Sequence, residues 1–188
     1  HALPEEILAL TFTDRAAEEM QGRVDRLVPY GYATTPIKTF HAWGDELLRE
    51  NSHRLGISGD LRVLGRAEVV LLLREHLFEL GLSRFAPLGD PTRFLGDIAG
   101  YISRAKEEAV SADAIEAFAA ELRAKAAAVA LNAEAPAKDR KKLEEYVAAL
   151  TRLSEEQGEL AAVYRTYRGI LAKSGLLDFG DQVLLAYE

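Results

Sequence analysis

The residues best placed to do chemistry sit at the end of a short apolar run, Ile7-Leu-Ala-Leu-Thr-Phe12, which passes into Thr13, Asp14 and Arg15. A nearly all-apolar run of this length reads as a strand buried on both faces of a parallel sheet. Its end, Thr11-Phe12-Thr13, turns into a helix. Such a corner offers two hydroxyls and the free N–H groups of a helix start, which together bind phosphate without a basic side chain. Phe12, at the carboxyl end of the strand, is a candidate stacking face for an unpaired base. The same residues admit a second reading, with Phe12 in the core and the threonines as helix caps.

Other chemistries find little support. The histidines, His1, His41, His53 and His76, form no H-x-x-x-H or H-E-x-x-H pair, and the chain has no cysteine, so no residue set for a zinc site is evident. There is no Gly-Lys dipeptide, hence no P-loop of the G-x-x-x-x-G-K-[ST] type. Asp178 and Asp181 lie three apart at a predicted helix start; two carboxylates are too few for a metal, and helix capping accounts for them. The basic cluster Lys138-Asp-Arg-Lys-Lys142 reads as a solvated surface or as a contact to duplex phosphates. With 23 Lys+Arg against 30 Asp+Glu the net charge is −7. A globally basic nucleic-acid binder is excluded, a local phosphate-binding face is not. The longest apolar run is six residues, Ala126 to Leu131, against roughly 18–20 for a membrane span. A soluble, cytoplasmic protein with no membrane partner is the expectation.

The elements that must position the Thr-Phe-Thr corner follow a parallel α/β rhythm. A second strand is predicted at Ile37-Lys-Thr-Phe40. Thr13 or Asp14 can cap a helix over about 15–27, and Thr39 one over about 40–54. Strand is expected near 7–12 and 36–40 only. From about residue 57 helix follows helix. The segment 65–80, apolar nearly all round and stopped by Gly81, predicts a buried central helix. Asp90-Pro91 precedes another, with Phe94, Leu95, Ile98, Ala99 and Ile102 on one face. Ser111 with Asp113 opens a third, broken by Ala133-Glu-Ala-Pro136. A long helix then carries Leu143, Tyr146, Leu150, Leu153, Gln157, Leu160, Tyr164, Tyr167 and Leu171 at spacings of three or four, close to a heptad seam. Gly175 ends it, and Asp178 can cap a last helix.

Three segments carry a family resemblance. Thr11-Phe-Thr-Asp-Arg-Ala-Ala-Glu-Glu-Met20 resembles the single-strand-binding motif T-F-T-N-K-A-A-x-E-M of UvrD/Rep-type superfamily 1 DNA helicases. Thr39-Phe-His-Ala42 resembles the next motif, T-F-H-[SA]. Tyr164-Arg-Thr-Tyr167 with Gly175-Leu-Leu-Asp-Phe-Gly-Asp-Gln-Val-Leu184 resembles the Y-x-x-Y…G-x-L-D-F-D-D-L-L segment before the Walker B motif. The three occur in the family's order. Asp14 and Arg15 replace the usual Asn and Lys, and Gly180 replaces the first of the paired acids.

The resemblance implies a mostly α chain: a helical bundle insert, 1B-like, attached to an incomplete parallel α/β motor-domain piece. Residues 1–55 would be part of motor domain 1A, 56–169 the insert, and 170–188 the return to 1A. The Walker A loop is expected before residue 1 and the Walker B acids beyond residue 188, so the chain would be an internal slice. The parent would be an ATP-dependent 3′–5′ DNA helicase or translocase using ATP and Mg²⁺, acting on single-stranded DNA and a duplex junction. This chain would contribute DNA contacts from Thr11, Phe12, Thr13, Arg15, Thr39 and His41, hold no cofactor and hydrolyse no ATP. Exposed 1A surfaces would allow it to dimerise. Two other readings stand beside this one: the helicase half of a helicase–nuclease repair complex, and a helical protein-interaction module, which the acidic balance and the heptad-like seam favour.

Overall fold

Two short strands, β1 (Ala9–Thr11) and β2 (Ile37–Thr39), pair in parallel with Ala9 opposite Ile37, Leu10 opposite Lys38 and Thr11 opposite Thr39. The computed structural model describes residue 3 and residues 6–27, 35–55, 60–131 and 137–187. Each strand runs straight into a helix: β1 into α1 (Asp14–Leu27), β2 into α2 (Phe40–Glu50), which α3 (Ser52–Leu55) follows. The caps explain where the helices begin. The hydroxyl of Thr13 accepts the N–H of Ala16 at 3.2 Å, and that of Thr39 accepts the N–H of Ala42 at 3.2 Å. Each thereby satisfies one N–H that the helix cannot.

The chain forms two compact units, one of residues 1–62 with 179–188, the other of residues 63–178. In the first, α2 packs against α8 (Phe179–Tyr187). The approach is so close that a Cβ on Gly44 would stand 2.3 Å from the carbonyl oxygen of Gln182. Around this contact, Asp45 accepts from Arg49 at 2.7 Å and from Gln182 at 3.3 Å, while Arg49 also donates to the carbonyl of Leu61 at 2.9 Å. The Arg49 hydrogen bond holds the Asp45 carboxyl below its usual range.

The second unit is helical: α4 (Arg66–Glu75), α5 (Leu95–Glu107), α6 (Ala112–Leu131) and α7 (Ala137–Ser174). Its core joins Val69 and Leu73 of α4 with Leu95, Ile98, Ala99 and Ile102 of α5, and with Leu160, Val163, Tyr164, Tyr167 and Leu171 of α7. The stripe predicted on α5 holds. The Ser111 hydroxyl caps α6, accepting the N–H of Ala114 at 3.1 Å, and Gly175 ends α7 at φ +65°, a conformation glycine adopts without strain. The segment 81–85 is pinned to α7 by one carboxylate. Glu159 accepts from the N–H and hydroxyl of Ser83, the N–H of Arg84 and the N–H of Phe85.

The structure corrects three expectations. Strand is not confined to the first two segments: β3 (Arg62–Leu64) and β4 (Leu176–Asp178) form a second two-stranded sheet. Their burial explains it, since Leu64 and Leu177 enter the interior and their backbones need partners there. The helix expected over 65–80 ends at Glu75, and it is not buried all round, for Leu71 and Phe78 are exposed. Along α7, Leu150, Leu160, Tyr164, Tyr167 and Leu171 are buried, but Tyr146 and Leu153 are exposed, so the seam is not continuous. The break expected at 133–136 lies outside the described residues.

Candidate nucleic-acid interface

The register of β1 and β2 makes this site. Because Thr11 lies opposite Thr39 and parallel neighbours are about 4.8 Å apart, the residues that follow, Phe12 and Phe40, leave the sheet side by side. Their ring centroids are 5.2 Å apart and tilted by 44°. Phe12 is 86% exposed. The core reading of this residue is therefore overturned: strand pairing stops at Thr11, and the ring leaves the sheet edge for solvent.

The strip continues across α2. His41 is exposed, and its ring meets that of Phe179 edge-on, with centroids 5.8 Å apart and planes at 72°. Phe179 opens α8 directly after β4 and is 58% exposed. Phe12, Phe40, His41 and Phe179 thus form two ring pairs joined through the adjacent residues 40 and 41, all within the first unit and each just past a strand's carboxyl end. Ligands of open α/β sheets bind outside those ends.

Thr11 is half-buried at the end of β1. Thr13 and Thr39 are helix caps, Thr39 buried and Thr13 exposed, and Arg15 is exposed in the first turn of α1. The corner thus brings Thr11 together with Thr39 and Phe12 with Phe40, and His41 follows Phe40 in the chain. Positive charge is sparse: the ammonium of Lys38 in β2 is taken up by Glu46, and Asp14 lies beside Arg15.

Phe40 and Phe179 are not among the DNA contacts that the resemblance implies. A signal for them exists: Thr11-Phe12, Thr39-Phe40 and Asp178-Phe179 are three instances of one pattern, a polar strand end followed by phenylalanine at the turn into a helix. Asp178 immediately precedes α8, and its carboxylate accepts from buried Lys106 and from Tyr167, both at 2.7 Å. Among the described residues no cluster of three or more His, Cys, Asp or Glu side chains could hold a metal ion, and no helix is long and apolar enough to cross a membrane.

Comparison with known proteins agrees with the motifs. Over 109 residues, 57% of this chain, it is 36% identical to the ATP-dependent DNA helicase PcrA of Bacillus subtilis, covering 14% of that protein. Over 184 residues, 98% of this chain, it is 27% identical to a probable DNA helicase II homolog of Mycoplasma capricolum, covering 21% of it. PcrA of Staphylococcus epidermidis is 31% identical over 97 residues. The chain thus spans about a fifth or less of the length of these relatives. The family model for the UvrD/REP helicase N-terminal domain matches residues 1–188, and the chain belongs to the UvrD/Rep helicase family.

Proposed function

We propose that this chain supplies single-strand DNA contacts to an ATP-dependent DNA helicase that translocates 3′ to 5′. The observation that carries this reading is the exposed aromatic strip at the strand ends, Phe12 with Phe40 and His41 with Phe179. Large apolar rings held at a sheet edge need a partner, and unstacked bases supply one at about 1–3 kcal/mol each, with little sequence preference. Thr11, Thr13, Thr39 and Arg15 flank the strip and are assigned sugar–phosphate contacts beside it. His41 is assigned a mixed role, edge-on to Phe179 and within reach of the backbone. Residues 1–55 and 170–188 are read as part of motor domain 1A and residues 56–169 as the 1B-like insert, facing the duplex junction ahead of the motor.

In the whole protein, ATP and Mg²⁺ drive closure of the motor, and each closure moves the strand past the strip. The γ-phosphate chemistry needs a Lys and metal ligands in a P-loop that this sequence does not contain. The 188-residue chain by itself is therefore expected to hydrolyse no ATP, with or without single-stranded DNA. Hydrolysis above a contaminant control by the pure chain would overturn that assignment.

The direction is tested in the full-length protein on duplexes bearing a 3′ or a 5′ single-stranded tail. Unwinding of the 3′-tailed substrate alone is expected, and it should slow at least tenfold in Phe12→Ala/Phe179→Ala if two stacking contacts are lost. Equal unwinding of both substrates, or full speed in that variant, would refute the reading.

A further inference from the structure

His41 and Phe179 meet where α8 packs on α2, and at that contact the chain departs from the family pattern. Gln182 stands where G-x-L-D-F-D-D-L-L has leucine. It is buried, its Nε2 donates to Oδ1 of Asp45 at 3.3 Å, and among the described residues no donor reaches its Oε1. A leucine would leave no orphaned acceptor inside, so stability is a poor explanation for the glutamine. Asp45 is itself held by Arg49, which donates to it at 2.7 Å and to the carbonyl of Leu61 at 2.9 Å. The residue before Asp45 is Gly44, where a Cβ would stand 2.3 Å from the carbonyl oxygen of Gln182 and 3.0 Å from its carbonyl carbon.

These contacts lie one helical turn beyond the rings. On α2, His41 precedes Gly44 by three residues and Asp45 by four; on α8, Phe179 precedes Gln182 by three. Residues so spaced share a helix face, about 5 Å apart along the axis. The helices therefore touch at two successive levels, ring against ring and then Gly44 and Asp45 against Gln182. The second level leaves no room. With a side chain at position 44 the backbones must part by about 1 Å to regain ordinary van der Waals separation. The first level parts with it, and the edge-on contact of His41 with Phe179, centroids 5.8 Å apart, opens. Phe12 is placed separately, by the ladder pairing of Thr11 with Thr39. We propose that Gly44 is a positioning residue for Phe179: it lets α8 close onto α2, with Gln182 bonded to Asp45, and so sets the distance at which the Phe179 ring stands ready for a base. The proposal rests on the reading of Phe179 as a stacking face.

The test is a set of double-mutant cycles on the full-length protein. Fluorescein-labelled oligo(dT) is the probe, binding is measured well below the melting temperature, and thermal unfolding is followed on the same samples. Phe179→Ala alone should weaken binding about tenfold. Gly44→Ala should weaken it about threefold or more, but by no more than Phe179→Ala does. Combined with Phe179→Ala, Gly44→Ala should add nothing further, because the ring it positions is gone. Combined with Phe12→Ala, the two losses should multiply. A merely structural role for Gly44 predicts the opposite, a loss that persists in the Phe179→Ala background.

The proposal is overturned if folded Gly44→Ala binds like wild type, or if its loss multiplies with that of Phe179→Ala. Unchanged binding by Phe179→Ala alone is a different failure, which removes the stacking reading and the proposal with it. Should Gly44→Ala melt below the assay temperature, Gln182→Leu takes its place. That variant removes the bond to Asp45, leaves Asp45 paired with Arg49 and buries no new polar atom, so it should fold. It should weaken binding about twofold, with the same pattern in the two backgrounds and the same refutations.

Discussion

Phe12→Ala separates a binding ring from a packing ring, and the structure sets both magnitudes. Phe12 is 86% exposed, so about a seventh of its surface is covered. A phenylalanine carries some 150–250 Å², which makes the covered part about 30 Å², worth about 0.7 kcal/mol at 25 cal/mol per Å². The tilted contact with Phe40 at 5.2 Å adds no more than about 1 kcal/mol at so exposed a position. Truncation should therefore leave stability nearly intact, where a core phenylalanine would cost about 3–5 kcal/mol. Loss of a stacked base costs about 1–3 kcal/mol, roughly a 5- to 150-fold weaker complex. The salt dependence should not change, since its slope counts phosphates neutralised by cations and Phe12 carries no charge. The assay is fluorescence anisotropy of labelled oligo(dT) on the full-length protein at several salt concentrations, with thermal unfolding of the same preparation. A folded variant of unchanged affinity would refute the stacking role, and a large drop in Tm would refute the geometric argument that the ring does little packing.

Gly44→Ala should destabilise the first unit by about 2 kcal/mol net, overpacking against the Gln182 carbonyl 2.3 Å away outweighing the gain in helix propensity of about 1 kcal/mol. Gly22→Ala, on α1 with nothing within 4 Å of the new methyl, should instead stabilise by about 0.5–1 kcal/mol; Tm shifts of the same sign in both would contradict the packing. For Glu159, burial pushes the carboxyl up, but donors from Ser83, Arg84 and Phe85 together bring it below its ordinary 4.5. Its contribution is thus complete above pH 4.5 and lost as pH falls through the lower folded value. Glu159→Gln should cost about 1 kcal/mol at pH 7 and flatten the acid limb of the Tm–pH curve; a limb identical to wild type would refute this. Ile7 and Leu8 are exposed beside β1, so in the isolated chain residues 7–12 should exchange amide hydrogens faster than α4, or become protected as concentration drives dimerisation. Protection equal to α4 in a strict monomer would contradict this.

The parts of the fold legible in the sequence are those written locally. Thr13, Thr39 and Ser111 cap the helices that follow them, because a hydroxyl at a helix start has a partner two or three residues on whatever the rest of the chain does. The α5 stripe of Leu95, Ile98, Ala99 and Ile102 is buried as its spacing requires. What escaped depends on distant partners. Strands β3 and β4 have three residues each, too few to display a period of two. Lys106 reads as a surface residue until Asp178, 72 positions away, is placed against it. Leu71 and Phe78 look like core because they follow apolar neighbours, yet Leu71 lies on the face of a short helix turned from the bundle and Phe78 lies beyond that helix's end at Glu75. The aromatic strip lies between these cases. Each Thr-Phe or Asp-Phe corner is local, but only the register of Thr11 against Thr39 turns two of them into neighbouring rings. On the proposed function, that register also bears on how a chain of net charge −7 would serve a polyanion. An interface whose energy comes from rings needs few cations, and a salt slope well below that of a basic groove is the signature it should leave.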